Sequence, residues 1–483
     1  MNVRFLVLLT LYAMILVTCS AQQNTRWQAL GTGLYSALPY IYTISVIGTD
    51  VYVGGIIQQA GGKPVRNIAR WSWADGNWYA LGEGANSNVY ATLPIVRGGD
   101  TVLLVGGSFE QVGTVLCQGV AMWNPRQARW ECLIDSLGGG MEKRVVNFLK
   151  DGNFLYICGT FSSIGGISAS GLVRYDLQSG QLAALGAFEQ REDTTFGPPH
   201  VQSVVRIGNS LYAVGFFTHV NSIRSVGIAR YDLATGKWDS VPGSHFVLND
   251  HNAVLPYAAV SVGDSLIIGG KFEWFGTMQA RGLLVYDTRT QQWSEFAGGV
   301  WRDTSTSSIK YYAVFALVYD GGHLYVGGSF DQAGTILASN IAHYDFSKKQ
   351  WEALESGTRG RVLSLTLTPQ RLYVGGGFPT AGGIRVNYIA AWLRDTTTSW
   401  VPDASEGSPL SIAAGTVHYR TASSGPAQLT LFDLRGRLIA TLAGGWHDAG
   451  THCIALLSLP AGVYLLQFRA RGISTSQAVI IEP

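Results

Sequence analysis

The sequence predicts an all-β protein in which a seven-bladed β-propeller of four-stranded blades precedes a small β-sandwich. Charged residues make up only 14% of the chain, while glycines number 60 and aromatic residues reach 11%. This composition favours turns and strands over charged amphipathic helices. An apolar run that ends in a glycine doublet recurs at intervals of 48 to 58 residues, and the pattern stops near residue 408. Such a period is typical of a propeller blade rather than of a helical-pair solenoid.

Seven units carry this run, two of them in degenerate form. The anchor positions, where the first glycine of the doublet or its replacement stands, are Gly54, Gly106, Cys158, Val214, Gly269, Gly327 and Gly375. The inner strands of a propeller are covered on both faces, so they read as continuous apolar runs. Glycines at their ends allow neighbouring backbones to approach closely.

Each unit supplies four strands. A tight Gly, Asn or Asp turn, such as Gly48 to Asp50, joins the first strand to the second, because hairpin turns require positive φ. The third strand carries an aromatic residue at Trp71, Trp123, Tyr175, Tyr231, Tyr286, Tyr344 and Trp392. Seven residues later, a tryptophan opens the fourth strand at Trp78, Trp130, Trp238, Trp293 and Trp351. These aromatic pairs are expected to meet across strands or against the next blade.

The chain offers one more fourth strand than it needs. Trp27 is followed by Leu-Gly-x-Gly, as Trp78 is, whereas Trp400 to Glu406 lacks this ending. We therefore predict that the N-terminal strand completes the last blade and that both chain ends close the ring. The predicted propeller spans residues 22–403, with a linker at 404–408.

The order of apolar run, Gly-Gly, Tyr or Trp, and then Trp resembles the kelch repeat. Phe378 to Gly383, a Phe with Ala-Gly-Gly behind it, resembles bacterial surface propellers related to that repeat. Similar blades also occur in cortical-marker proteins of fungal walls. The resemblance covers roughly Trp27 to Asp403, and it implies a fold rather than an activity.

Residues 409–483 read as short strands with turns at regular intervals, which predicts a β-sandwich. The segments Leu429 to Leu438 and Leu459 to Tyr464 are similar to the type A C-terminal sorting domain of the type IX secretion system, found in Bacteroidetes. That resemblance implies export across the periplasm and outer membrane, then surface attachment or release. The opening Pro-Asn-Pro and the usual final Lys are missing, and a small adhesion sandwich is the alternative.

Residues 1–21 predict a secretory signal peptide, with Arg4 at its positive start, an apolar run from Phe5 to Val17 and cleavage after Ala21. A lipoprotein acylated at Cys19 is the alternative. No later stretch is long and apolar enough for a membrane helix. Cys117 and Cys132 are expected on neighbouring strands of one hairpin, but their register looks a few residues out, so a disulfide between them stays open.

Ligand recognition is expected on the face of the ring where the second-to-third loops and the blade-to-blade connections emerge, because loops on a rigid scaffold vary freely. The three longest connections are 188–200, 244–257 and 299–312. Their aromatic, acidic and basic side chains suit sugar or peptide binding, although they also read as solvated loop tips. The candidate residues are Glu189, Arg191, Asp193, His200, His245, Asp250, His251, Trp301, Arg302, Asp303, Tyr311 and Tyr312.

Two functions follow from these observations. The formal net charge of +2 without a basic block argues against nucleic-acid binding. No catalytic motif, metal-ligand spacing or phosphate-binding loop is present, so we expect no cofactor or metal. The sequence therefore favours a secreted or cell-surface, non-catalytic propeller that binds a glycan or protein. A carbohydrate-active hydrolase or lyase on the same scaffold is the alternative, because paired carboxylates need no sequence signature.

Overall fold

The computed structural model describes residues 25–191, 197–246, 254–302 and 312–394, and in the C-terminal tail 410–413, 416–421, 425–433, 438–447, 450–455, 462–470 and 473–481. The predicted signal peptide, its cleavage site at Ala21 and the predicted linker 404–408 lie outside these residues.

Seven antiparallel four-stranded sheets occupy the described residues between 27 and 393, and we call them blades 1 to 7 in chain order. From the innermost strand outward they are: blade 1, Tyr40–Ile47, Asp50–Ile56, Ile68–Ser72, Asn77–Ala80; blade 2, Val89–Arg97, Asp100–Gly107, Val120–Asn124, Arg129–Ile134; blade 3, Arg144–Asp151, Phe154–Thr160, Leu172–Asp176, Leu182–Ala184; blade 4, His200–Ile207, Ser210–Phe216, Ile228–Asp232, Lys237–Ser240; blade 5, Leu255–Val262, Ser265–Lys271, Leu283–Asp287, Gln292–Glu295; blade 6, Ala313–Tyr319, His323–Ser329, Ile341–Asp345, Gln350–Ala353; blade 7, Val362–Leu367, Arg371–Gly376, Ile389–Leu393, Trp27–Ala29.

The blades form a closed ring, because the innermost strand of each contacts that of the next and blade 7 contacts blade 1. The fourth strand of blade 7 is the N-terminal strand Trp27–Ala29, which pairs antiparallel with Ile389–Leu393 and sets Trp27 opposite Trp392. The predicted all-β propeller, closed by its N-terminal strand, is therefore confirmed. Each blade buries both faces against its two neighbours, and the radial arrangement leaves only short sheet edges exposed.

A ladder of tryptophans links successive blades at the fourth strand. In six of the seven blades an aromatic residue of the third strand faces a tryptophan of the fourth, as Trp71 and Trp78 do with ring centroids 5.5 Å apart. The indole N–H of Trp78 then donates a hydrogen bond of 2.8 Å to the carbonyl of Leu30, just past the fourth strand of the preceding blade. The same donation recurs in five other blades, at Trp130, Trp238, Trp293, Trp351 and Trp27. Blade 3 has Leu182 at this position.

The glycine doublet sits where backbones and blades come closest. In blade 6, a Cβ on Gly327 would lie 2.5 Å from Cγ1 of Val362 in the innermost strand of blade 7. A Cβ on Gly328 would lie 2.1 Å from the carbonyl oxygen of Ala313, in the innermost strand of its own blade. The doublet therefore lets the second strand lie close to the next blade and to the innermost strand of its own blade, and the predicted close approach is confirmed.

Short hairpins cover one face of the ring, which we call the connection face. Each joins the second strand of a blade to the third, and most also pair with the chain that enters the blade, as Leu34 does with Ala60. The small strands are Leu34–Tyr35, Gln59–Ala60, Lys63–Pro64, Gln111–Val112, Val115–Leu116, Leu137–Gly138, Ser163–Ile164, Ile167–Ser168, Phe188–Glu189, His219–Val220, Ile223–Arg224, Trp274–Phe275, Met278–Gln279, Val300–Trp301, Gln332–Ala333, Ile336–Leu337, Thr380–Ala381 and Ile384–Arg385, with a 3-10 turn at Gly140–Glu142.

A disulfide joins Cys117 to Cys132, with Cα atoms 5.4 Å apart. Cys132 lies on the fourth strand of blade 2 opposite Ala121, whereas Cys117 precedes the third strand, at the end of the hairpin. The expected register mismatch arose because Cys117 was assigned to the third strand itself. The bridge ties the connection-face hairpin to the edge of its blade and closes a loop of 15 residues, for which chain-entropy arguments give roughly 3 kcal/mol of stabilisation.

The tail is a two-sheet β-sandwich, as predicted. One sheet contains Leu410–Ala413, Thr416–Thr421 and Gly450–Ala455, and the other contains Leu438–His447, Gly425–Asp433, Gly462–Ala470 and Ile473–Ile481. Val417 and Tyr419 of the first sheet share a buried core with residues of the second, including Leu429, Leu466 and Phe468.

Candidate ligand-binding site

Every blade carries one extra residue in its innermost strand, opposite the glycine doublet. In blade 1 the pairing skips from Ile41 to Thr43 and leaves Tyr42 unpaired, which is a β-bulge. The ladders of the other blades skip one residue at the equivalent place. These seven residues, which we call the bulge ring, are Tyr42, Tyr90, Val146, Gln202, Tyr257, Phe315 and Leu363.

The bulge ring lines a central channel that encloses about 550 Å³. It lies toward the connection face, because each bulge follows closely on the chain that enters from the preceding blade. The lining also includes the residues that follow the bulges along the innermost strands, among them Thr43, Asn147 and Ala258. The hydroxyl groups of Thr43 and Thr92 are 2.8 Å apart and hold blades 1 and 2 together. The channel is therefore aromatic at its mouth, and its wall is made of the paired innermost strands.

One side of the mouth is an unbroken series of tyrosines with an arginine at each end, which we call the arginine–tyrosine arc. The guanidinium of Arg361 lies 5.8 Å from the ring centre of Tyr40, whose ring is 6.2 Å from that of Tyr42. Tyr42 is 4.8 Å from Tyr90, and the guanidinium of Arg144 lies 5.8 Å from Tyr90. Burial raises the pKa of Tyr42 to about 12, so its hydroxyl stays a hydrogen-bond donor at physiological pH.

The opposite side is a second series of stacked rings, which we call the aromatic arc. His200 stacks on Phe216 at 4.5 Å, Phe216 lies 5.7 Å from Tyr257, and Tyr257 lies 5.3 Å from Phe315. Burial lowers the pKa of His200 to about 4, so the imidazole is neutral near pH 7. Tyr257 and Phe315 are half-buried on this wall, so their flat apolar faces are open to an incoming ligand, whereas His200 and Phe216 are buried behind them.

The buried imidazole predicts a specific loss of stability in acid. The folded-state pKa of His200 is depressed to about 4 against an unfolded value near 6.5, so the unfolded chain binds its proton first. The contribution of the neutral imidazole to the free energy of unfolding is fully present above pH 6.5. It falls by roughly 3 kcal/mol as the pH is lowered to about 4. Urea unfolding of the wild type and His200→Gln at pH 7.5 and pH 4.5 should show a smaller acid loss in the variant. Parallel losses would contradict this assignment.

Only His200 among the described sequence candidates lines the channel. Glu189 and Arg191 form an ion pair with each other, and the Arg191 guanidinium also donates to the carbonyl of Asn221, 3.0 Å away. These contacts fasten the 188–200 connection to the hairpin of blade 4. His245 is exposed and packs edge-on against Phe275 of the blade 5 hairpin at 5.5 Å.

The other described candidates also belong to the connection-face hairpins and blade entries. The Trp301 indole donates to the carbonyl of Gly334 at 3.3 Å and lies under the guanidinium of Arg281. Arg302 donates to Oδ1 of Asn340 at 3.3 Å, and burial raises the pKa of Tyr312. Asp193, Asp250, His251, Asp303 and Tyr311 lie outside the described residues.

No member of the bulge ring is among the candidate residues predicted from the sequence. A signal exists, because six of the seven members of the bulge ring stand twelve residues before the anchor position of their unit, as Tyr42 does before Gly54. Tyr90 stands sixteen residues before Gly106, because the first hairpin of blade 2 is longer. The identities vary from Tyr to Val, so the position is recognisable only once the bulge is known.

Two classes of feature are missing from the described residues. They hold no group of three or more His, Cys, Asp or Glu side chains placed to bind a metal ion. They also contain no helix with the length and apolar character needed to cross a membrane.

One protein family is similar to this chain over two separate segments. The model of a family described as the Rax2 C-terminal beta propeller domain matches residues 78–194 and 304–422, just under half of the chain, and supports a β-propeller. No curated protein matches the chain.

Solved structures similar to this chain share little sequence with it. An oligogalacturonate lyase from Vibrio parahaemolyticus has 11% identity and a TM-score of 0.44, over 79% of this chain and 96% of that one. A protein of unknown function from Bacteroides thetaiotaomicron has 13% identity and a TM-score of 0.35, over 62% and 72%. The computationally designed Ika4 protein has 14% identity and a TM-score of 0.24, over 42% and 95%. TM-scores this low support no argument about this chain. From its own strands and from the family model, the chain contains a β-propeller similar to the Rax2 C-terminal propeller domain.

Proposed function

We propose that this chain is an exported, non-catalytic β-propeller that binds a glycan in the mouth of its central channel. The observation that carries the proposal is the bulge ring, in which four of seven members are aromatic and all seven line one cavity. A concave, pre-formed site with aromatic faces and a few polar groups is the usual form of a small-ligand site. A glycan end fits such a channel, whereas a protein partner that docks on a flat surface needs a wider area.

The chemistry of the lining supports binding rather than hydrolysis. Most glycoside hydrolases use two carboxyl groups, one as acid and one as base or nucleophile. Among the described residues that line the cavity, there is no Asp or Glu. His200 is neutral and packed against Phe216, where it serves the wall of the channel.

A glycan array run beside a hydrolysis screen tests this proposal with the purified mature chain. The double variant Tyr42→Ala and Tyr257→Ala should weaken glycan binding by about tenfold or more, because each aromatic contact contributes roughly 0.5 to 1.5 kcal/mol. Tyr35→Ala is the matched control, since Tyr35 is 57% exposed on a connection-face hairpin outside the channel. Release of sugar products by the wild type would instead support the carbohydrate-active enzyme.

Export forms the second part of the proposal. The signal-like residues 1–21 and the resemblance of residues 409–483 to a type IX sorting domain support passage through the periplasm to the cell surface or medium. The test is expression in a Bacteroidetes host with an intact type IX system. Removal of residues 409–483 should leave the propeller in the periplasm, and equal surface or medium levels of both forms would refute this route.

A further inference from the structure

We infer that the ligand of the channel mouth is an acidic saccharide, a uronate-bearing glycan whose carboxylate faces the arginine–tyrosine arc while its ring face lies on the aromatic arc. This inference rests on the proposed function above and adds the chemical class of the ligand.

The charge at the mouth is the first observation. Arg144 lines the cavity and is half-buried, and among the described residues no carboxylate lies within ion-pair distance of it. Arg361 stands at the other end of the same arc, against the ring of Tyr40. Both positive charges act on the hydroxyl of Tyr42 between them and oppose the rise in its pKa. A half-buried guanidinium without a carboxylate partner is a strong binding group for an anion, because it donates charge-assisted hydrogen bonds.

The distribution of the lining groups is the second observation. Every arginine described at the mouth belongs to blades 3 and 7, which flank the tyrosines of blades 1 and 2. The side formed by blades 4 to 6 carries the stacked rings of Phe216, Tyr257 and Phe315 and no charged group among its described lining residues. The mouth is thus polar and cationic on one side and apolar and aromatic on the other.

A uronate ring matches this division in one small unit. It has an apolar C–H face that packs on aromatic rings, hydroxyl groups that bond with Tyr42 and Gln202, and a carboxylate at its edge for Arg144. An acidic peptide offers the carboxylate but lacks a rigid apolar face beside it. We therefore argue for the saccharide, and the peptide is one outcome of the test.

The experiment measures binding of the full mature chain, by calorimetry, to matched pairs of oligosaccharides. Each pair consists of a uronate oligosaccharide, from alginate, pectate or hyaluronate, and its carboxyl-reduced form, which has the same linkages without the charge. We expect at least one uronate to bind about tenfold or more tightly than its reduced form. Arg144→Gln should remove that preference, Arg144→Lys should retain part of it, and thermal unfolding should show both variants to be folded. Arg126→Gln is the control, because Arg126 is exposed and pairs with Asp100 away from the channel.

The outcomes separate the two proposals. Equal binding of a uronate and its reduced form, lost in the Tyr42 and Tyr257 double variant, would overturn the acidic class and leave glycan binding intact. Binding of an acidic peptide of glutamates in an Arg144-dependent manner, with no saccharide bound, would overturn the saccharide. Absence of any binding that depends on the tyrosines would overturn both proposals.

Discussion

Replacing Gly328 with alanine is expected to destabilise the propeller by about 4 kcal/mol or more, and to lower the yield of folded protein. The added Cβ would lie 2.1 Å from the carbonyl oxygen of Ala313, a distance that side chains essentially never reach. The two strands pair on both sides of the bulge at Phe315, so they can part only by breaking ladder hydrogen bonds. The expected loss would appear in urea unfolding followed by tryptophan fluorescence.

Gly322→Ala is the matched control within the same hairpin. Its added Cβ would meet only Oδ1 of Asp320, at 3.9 Å, and Gly322 does not have a positive φ. We expect a change within about 0.5 kcal/mol for this variant. If the two substitutions cost the same free energy, the close approach at the doublet is not what holds the innermost strands in place.

Replacing Trp27 with alanine is expected to cost about 4 kcal/mol, because this residue closes the ring. Its side chain is 2% exposed, packs edge-on against Trp392 at 5.1 Å and donates to the carbonyl of Leu354 in the preceding blade. Leu30, three residues later, accepts the equivalent bond from Trp78. The N-terminal segment therefore joins blade 6, blade 7 and blade 1.

Two further substitutions distinguish the effect of weakening the ring closure from the effect of removing any tryptophan. Trp27→Phe keeps an aromatic ring but removes the N–H donor and part of the buried ring volume, so a loss of about 2 kcal/mol is expected, smaller than that of Trp27→Ala. Trp274→Ala removes a tryptophan that is 51% exposed on a hairpin, and its cost should stay below about 1 kcal/mol. An unfolding free energy unchanged by Trp27→Ala would contradict closure by the N-terminal strand.

The repeat predicted the blades and the closure because each of its signals is a residue type with a definite structural role within a few positions of the chain. A doublet marks a close approach, a turn marks a hairpin, and Trp27 with its Leu-Gly-x-Gly ending repeats the signal of Trp78. The disulfide was left open because the assignment of Cys117 depended on where a strand begins, and element boundaries are the weakest part of such reasoning.

The binding site was harder to predict, since seven distant segments build it and each contributes one unpaired residue. Tyr42 and Phe315 are far apart in sequence, share only their place in a bulge, and come to one channel through ring closure. The long connections made His245 and Trp301 candidates, but the structure places both against the connection-face hairpins. His200 was selected because it ends such a connection, and it also begins an innermost strand.

The binding mode would be seen in a crystal structure of the mature chain grown with the uronate oligosaccharide that binds most tightly. We expect a sugar ring in contact with Tyr257 or Phe315, and its carboxylate within hydrogen-bond distance of Arg144. A saccharide found on the connection-face hairpins or on the tail, with the channel mouth filled only by water, would contradict binding in the channel.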